Sequence, residues 1–362
     1  MHMADALLSP AVGGTMWGAS AAAIAYCSNK VRTGMDDRST PLMGVLGAFI
    51  FAVQMINFTI PVTGSSGHLG GGMLLAVLLG PYAAFLTISS VLVVQALFFA
   101  DGGLLALGCN MFNLGFFPAF IAYPLVYKKI AGSTTSPARI SVASIAAAVV
   151  GLQLGSLGVV GETVLSGISS LPFLSFAAIM QPIHLAIGIV EGLVTASIIS
   201  FVFKAKPEIV QGAMEARLIS NQAVRTIVLA FLALAVVTGG FVSWFASKNP
   251  DGLEWAITKV TGQEELKGPD QGVHGALAAL QDKIAFLPDY SFGKPAEKSA
   301  SIPENKGQKA DDRKSGGGRL GTSVSGIVGG MLTLGLSLLI GYMLKRLKPQ
   351  RDRPLIHNNN PP

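Results

Sequence analysis

The sequence opens Met1-His2-Met3-Ala4-Asp5, and its first two residues carry three nitrogens at chelating spacing. A free α-amine, the backbone nitrogen of residue 2 and the Nδ1 of a histidine at that position close fused five- and six-membered rings around one ion. The three donors then lie in a plane. Planar nitrogen coordination suits Ni(II) and Cu(II) and is accepted by Co(II), whereas hard ions such as Mg(II) prefer oxygen. A fourth nitrogen must come from elsewhere in the chain. His68 stands in the run Gly64-Ser65-Ser66-Gly67-His68-Leu69-Gly70-Gly71-Gly72, whose glycines allow positive φ and close approach of a second segment. On the residues alone, a metal site and a chance His2 beside a tight glycine turn both remain open.

Further ionisable and polar residues lie in apolar surroundings. His184 opens the apolar run 183–203, and Glu191 follows seven residues later, about two helical turns along the same face. Such groups are costly inside a membrane and usually face a partner or a cavity. Together they either orient a metal ligand from behind or form a buried contact between helices. Asp101, Asn110 and Asn113 cluster near a span boundary, where capping and interhelical hydrogen bonds account for them as well as a functional role does. Cys27 and Cys109 sit among apolar residues with no disulfide framework and no CxxC spacing, so they read as small buried hydrophobes. The twelve methionines read as packing, apart from Met1 and Met3.

Two enzymatic readings are weaker. Gly64-Ser65-Ser66-Gly67 matches the G-x-S-G of rhomboid-type intramembrane proteases, with Ser66 as nucleophile and His184 as base. The glycine that should follow that histidine is displaced by one residue, and Met1-His2 is left unexplained. Gly155 to Gly161 has the glycine spacing of a Walker A loop, but Glu162 occupies the position of the phosphate-binding lysine. No ATP-driven engine is therefore encoded there.

The elements that must position these residues follow from composition. Of 362 residues, 51% are hydrophobic and 13% charged, against about 25% charged in soluble domains. Residues 1–247 hold 10 Lys+Arg and 8 Asp+Glu, whereas residues 248–362 hold 16 and 12. The first two thirds therefore belong in lipid, and the last third is not wholly buried there. Neither the net charge of +6 nor its distribution makes a nucleic-acid surface, because no basic stripe is interleaved with aromatics. Apolar runs near 11–28, 41–60, 104–126, 140–161, 183–203, 226–246 and 324–344 are long enough to cross a bilayer. The run 73–99 reads as two short helices broken at Gly80-Pro81, because only then do the basic loops 29–40, 127–139, 204–225 and the tail share one side. The expectation is an all-α polytopic membrane protein of about nine transmembrane helices, N-terminus outside and C-terminus cytoplasmic. Met1 to Asp5 lacks the basic start of a signal peptide, so Met1-His2 is expected at the mature terminus, on the outer face.

The chain divides into a membrane domain over 1–205, a cytoplasmic connector over 206–225, a two-span module over 226–345 and a cytoplasmic tail over 346–362. The module's outer segment, 247–323, starts with a capping box, Asp251-Gly252-Leu253-Glu254. It continues with a helix around 272–285 and a disordered linker over 293–319.

Three stretches resemble the CbiM/NikM family: MHMADALLSP at the start, 44–110 with its GSSGHLGGG run, and IHLAIGIVEGLVT at 183–195. The segment from Pro250-Asp251-Gly252-Leu253-Glu254 to the last span is similar to the PDGLE module, linked to the CbiN/NikN role. The resemblance implies a cobalt- or nickel-specific substrate-binding component of an energy-coupling factor importer in a prokaryotic cell membrane. It would supply metal for cobalamin synthesis or nickel enzymes, and would need no cofactor of its own. The metal would be held by the Met1 amine, the His2 backbone nitrogen and imidazole, and His68, with His184, Glu191 and Asn110 as supporting candidates. The implied partners are a CbiQ/NikQ-like transmembrane coupling protein and two CbiO/NikO-like ABC-type ATPase subunits.

Overall fold

The computed structural model describes residues 2–34, 39–132, 136–215, 220–263, 266, 268–269, 271–292 and 318–347. The expected ligand Met1 lies outside them, as do 293–317 of the expected linker and 348–362 of the tail.

The protein is an all-α polytopic membrane protein. Its helices are α1 (Pro10–Gly34), α2 (Thr40–Gln54), α3 (Gly72–Leu79), α4 (Pro81–Phe99), α5 (Leu107–Ala131), α6 (Pro137–Ser166), α7 (Phe173–Ala205), α8 (Pro207–Glu215), α9 (Asn221–Gly240), α10 (Gly252–Thr261), α11 (Gly272–Ile284) and α12 (Gly318–Arg346). A hairpin of two three-residue strands, β1 (Phe58–Ile60) and β2 (Ser65–Gly67), joins α2 to the loop before α3. Its antiparallel register pairs Phe58 with Gly67 and Ile60 with Ser65.

Among the described residues six helices (α4, α5, α6, α7, α9 and α12) are long and apolar enough to cross a membrane. Helix α1 has 25 residues but carries more Ser, Thr and Asn, and α2 has 15. The break at Gly80-Pro81 is where the sequence places it: Gly80 takes φ +78 and Pro81 starts the next helix. The two halves are unequal, however. Helix α3 has eight residues, or about 12 Å at 1.5 Å per residue, so it does not cross on its own. It lies inside the bundle, with Gly72 through Leu78 all buried.

Two boundaries shift from expectation. The expected span 41–60 ends as a helix at Gln54, because the β-branched and turn-forming residues beyond it build the hairpin. The expected start at residue 183 moves back to Phe173, which places His184 in the middle of α7 rather than at its entry. Glycines allow α6 and α7 to lie close: a Cβ at Gly192 would stand 2.5 Å from the Ile145 Cα. The Gly155–Gly161 spacing falls within the continuous helix α6, so it forms no phosphate loop. The capping box is present, with the Asp251 carboxylate accepting from the N–H groups of Leu253 and Glu254 and the Glu254 carboxylate accepting from the Asp251 N–H.

Candidate metal centre

Residues 2–8, the loop carrying His68, the loop 100–106 and residues 247–263 and 271–291 meet at one end of the bundle. Asn110, near the start of α5, fixes the first of these. Its side-chain oxygen accepts the Met3 N–H at 2.8 Å and its amide donates to the Met3 carbonyl at 3.3 Å. Gly103 N–H donates to the same carbonyl at 2.9 Å. Met3 is fully buried. Downstream, Asp5 accepts the Ala106 N–H at 3.0 Å and His274 Nε2 donates to the Leu8 carbonyl at 2.8 Å. The first residues are thus pinned, with extended backbone at Ala4 and Leu8 on either side of a single 3-10 turn over Asp5–Leu7, and Asn110 does so without touching a ligand position itself.

His2 emerges from this clamp with its ring stacked on that of His68, the centroids 4.9 Å apart and the planes 3° from parallel. Its Nδ1 lies 3.1 Å from an Asp101 oxygen, and the other Asp101 oxygen accepts the Tyr290 hydroxyl. Nδ1 is the atom a six-membered chelate ring requires, so in this arrangement it is engaged by Asp101. A half-turn of the ring about Cβ–Cγ exchanges Nδ1 with Cδ2 and releases it. Burial alone would raise the Asp101 carboxyl, but His2 and the Tyr290 hydroxyl more than offset that and hold it below the usual carboxylate range.

The loop before α3 is held as firmly. Glu191 on α7 accepts the Gly70 and Gly71 N–H groups at 2.7 and 3.1 Å, and Gln54 at the end of α2 donates to the Gly70 carbonyl at 2.7 Å. Buried backbone groups need such partners. A Cβ on Gly72 would come within 2.3 Å of the Leu114 carbonyl oxygen, so the chain enters α3 there only as glycine. His68 itself is 7% exposed. Its Nδ1 faces the Leu69 carbonyl at 3.2 Å, an arrangement that leaves the lone pair on Nε2. Burial, reinforced by the positive charges of the amino terminus and then of His2, pushes the imidazole down to about 3, so His68 is neutral at physiological pH.

His184 and Glu191 do not meet. His184 Nδ1 donates to the Met180 carbonyl at 2.8 Å, one turn back along α7, while Glu191 is committed to the glycine loop. The buried His–Glu contact expected from their spacing is therefore replaced by two separate partners. Asn113 donates to Glu162 on α6 at 2.7 Å and stands 3.9 Å from the Met3 sulfur. Ser66 Oγ donates to the Asn249 carbonyl at 2.8 Å and His184 uses its Nδ1 on backbone, so the protease pair is not formed. Among the described residues no group of three or more His, Cys, Asp or Glu is arranged to hold a metal ion.

Sequence reasoning treated Asp251 only as a helix cap and did not single out Tyr290 at all. Both come from the segment after α9: Asp251 lines a cavity with His68 and His184, and Tyr290 donates to Asp101, the partner of His2. Asp251 was legible as the first residue of a capping box inside the PDGLE-like stretch. Tyr290 carried no such signal, because only the tertiary path of the segment brings it to residue 101.

Comparison with known proteins agrees with this architecture. Residues 2–209 match the family described as the cobalt uptake substrate-specific transmembrane region, and residues 225–346 match the PDGLE domain. The fused nickel transport protein NikMN of Rhodobacter capsulatus is 28% identical over 313 residues, which is 80% of this chain and 88% of that protein. The cobalt transport protein CbiM of Sorangium cellulosum is 30% identical over 233 residues, 60% of this chain and 98% of its own. A crystal structure of a truncated transition metal transporter superposes with a TM-score of 0.50 at 30% identity, covering 57% of this chain and 99% of that one. The first match takes in His2, His68, Asp101, Asn110, His184 and Glu191 and more than half of the sequence, and the chain is a member of the family of cobalt-uptake substrate-specific transmembrane proteins.

Proposed function

We propose that this protein captures Co(II) or Ni(II) at the outer face of a prokaryotic cell membrane as the substrate-binding component of an energy-coupling factor importer. The ion is held in a plane by the Met1 amine, the His2 backbone nitrogen and Nδ1, and His68. The observation that carries this reading is the stacking of His2 on His68: two imidazoles remote in sequence meet at a clamped N-terminal segment. The resting contact of His2 with Asp101 is broken on loading, when the ring turns and Nδ1 takes the ion.

Planar nitrogen donors favour Ni(II) and accept Co(II), and they work against Zn(II), which prefers a tetrahedron. Three donors come from two adjacent residues and need little folded scaffold. The fold supplies the fourth by fixing His68 through Glu191 and Gln54. Residues 1–205 form the metal-binding domain, 206–225 a cytoplasmic connector, and 226–345 a module whose outer segment covers the site. Release of the ion into the cytoplasm uses a transmembrane coupling protein and two ABC-type ATPases, since this chain's own glycine spacing lies inside a helix. The first test is titration of purified His68→Ala with Ni(II) and Co(II). Loss of most binding is expected, and wild-type affinity would remove His68 from the site.

A further inference from the structure

A helix leaves its last carbonyls without partners of its own, and at the end of α4 residues 281–290 of the module supply two of them. Gln281 Nε2 donates to the Ala96 carbonyl and to the Gly102 carbonyl, both at 2.8 Å, and Leu287 N–H donates to the Phe98 carbonyl at 3.3 Å. The chain fastened between these points carries Asp101. It runs alongside residue 2, since a Cβ on Gly102, which has φ +84, would stand 3.4 Å from the His2 Cβ.

Tyr290 makes the remaining contact. Its ring stacks on Phe99, with centroids 5.0 Å apart and planes 21° from parallel, and meets Phe51 edge-on at 6.1 Å. Its hydroxyl donates to Asp101. The backbone bends sharply to bring it there: Asp289 and Tyr290 have φ +51 and +55, a region that residues other than glycine rarely take. Such conformations persist only where the surroundings hold them, and they cluster at functional sites. Phenylalanine would stack on Phe99 as well, so it is the hydroxyl that reaches the carboxylate.

Asp101 therefore has two side-chain partners at once, His2 Nδ1 on one oxygen and Tyr290 on the other. The two contacts fare differently when an ion arrives. Loading takes His2 Nδ1 away from Asp101, whereas no donor of the chelate comes from Tyr290. The hydroxyl then acts in two ways that have the same sign. While His2 is at rest, a donor already on the carboxylate satisfies part of its charge, which weakens its hold on the imidazole. Once His2 has turned away, the hydroxyl leaves Asp101 with one side-chain donor instead of none.

We propose that Tyr290 is a positioning residue for metal loading: from the fused module, it holds Asp101 so that the carboxylate can give up His2 to the ion. Tyr290 acts through Asp101 and is not itself a ligand. The inference rests on the function proposed above and deepens it, because it lets the module tune the affinity of a site built in the first domain.

The test uses the full-length membrane protein with its native N-terminus, titrated with Ni(II) and Co(II). Tyr290→Phe keeps the stacked ring and is expected to lower affinity roughly three- to tenfold, the weight of about one hydrogen bond. The ligand-field spectrum of the saturated variant is expected to match the wild type. A merely structural tyrosine would weaken binding whatever stands at position 101, so the deciding readout is a double-mutant cycle. In an Asp101→Ala background there is no carboxylate to hold, and Tyr290→Phe is expected to leave affinity unchanged. Should Asp101→Ala fail to fold, Asp101→Asn, which keeps the shape without the charge, takes its place, and the loss from Tyr290→Phe is expected to shrink there. Wild-type affinity in Tyr290→Phe overturns the proposal, as does a changed spectrum or an undiminished loss in the Asp101 variant. If the wild-type protein itself binds neither metal, the underlying functional reading fails, and this inference with it.

Discussion

Glu191 accepts the Gly70 backbone N–H at 2.7 Å, joining the middle of α7 to the loop that presents His68. A second bond to Gly71 at 3.1 Å makes the carboxylate a two-point clamp. Leaving such a buried donor unsatisfied costs about 1–3 kcal/mol. In Glu191→Gln one oxygen still accepts, but the amide nitrogen faces the other N–H. The expected result is a folded protein with metal affinity lowered roughly tenfold, as found when groups behind a metal ligand are removed. Glu191→Ala should lose more, and equal affinity in both variants and the wild type would show that loop position is irrelevant to binding.

Asn110 makes a similar claim for the N-terminal donors. It bonds both the N–H and the carbonyl of Met3, so Asn110→Ala leaves the buried Met3 N–H without an acceptor, while the Met3 carbonyl keeps the Gly103 N–H. We expect a loss of about 1–3 kcal/mol in stability together with weaker Ni(II) binding, measured by thermal unfolding and by calorimetric titration. Weaker binding with unchanged stability would also fit, but unchanged binding would contradict the clamp.

The pH dependence follows from which donors carry protons. His68 is pushed down to about 3, below its ordinary value of about 6.5. It is therefore neutral in the fold from neutral pH down through mildly acidic pH and competes with no proton for the metal there. The sign for stability is that the unfolded chain gains a proton below about pH 6.5 that the folded chain does not, so the metal-free fold loses stability as pH falls from that value towards 3. For metal binding, an α-amine has an ordinary pKa of about 7.7–8.0, so affinity should fall steadily from pH 8 to pH 6. Titration at several pH values checks this, and a flat profile would exclude the amine.

Much of the fold was legible in the sequence. Low charge and long apolar runs gave the membrane class, Gly80-Pro81 gave the break, and Asp251 with Glu254 gave the capping box, because each is set by local chemistry. His184 was misplaced to a helix entry because the apolar pattern before it, from Phe173 to Ile183, is interrupted by Pro182, which the helix tolerates. The hairpin over 58–67 was hidden inside an apolar run for the same reason: periodicity does not separate short strands from helix ends. At the site, His2 and His68 were nameable as residue types suited to a planar ion. Their contact, the Asn110 clamp and the arrival of Asp251 and Tyr290 depend on tertiary path alone. Glu191 shows both sides: its cost in a membrane helix marked it as purposeful, but its partner turned out to be backbone amides rather than His184.

The central claim is that the first amine of the chain is a metal ligand, and one measurement addresses it directly. Calorimetric titration with Ni(II) should compare the protein beginning at Met1 with the same protein extended by a single residue at its N-terminus. The account predicts tight binding at one ion per chain for the first and loss of high-affinity binding for the second, with both equally inserted in membranes. Equal affinity in the extended protein would contradict it.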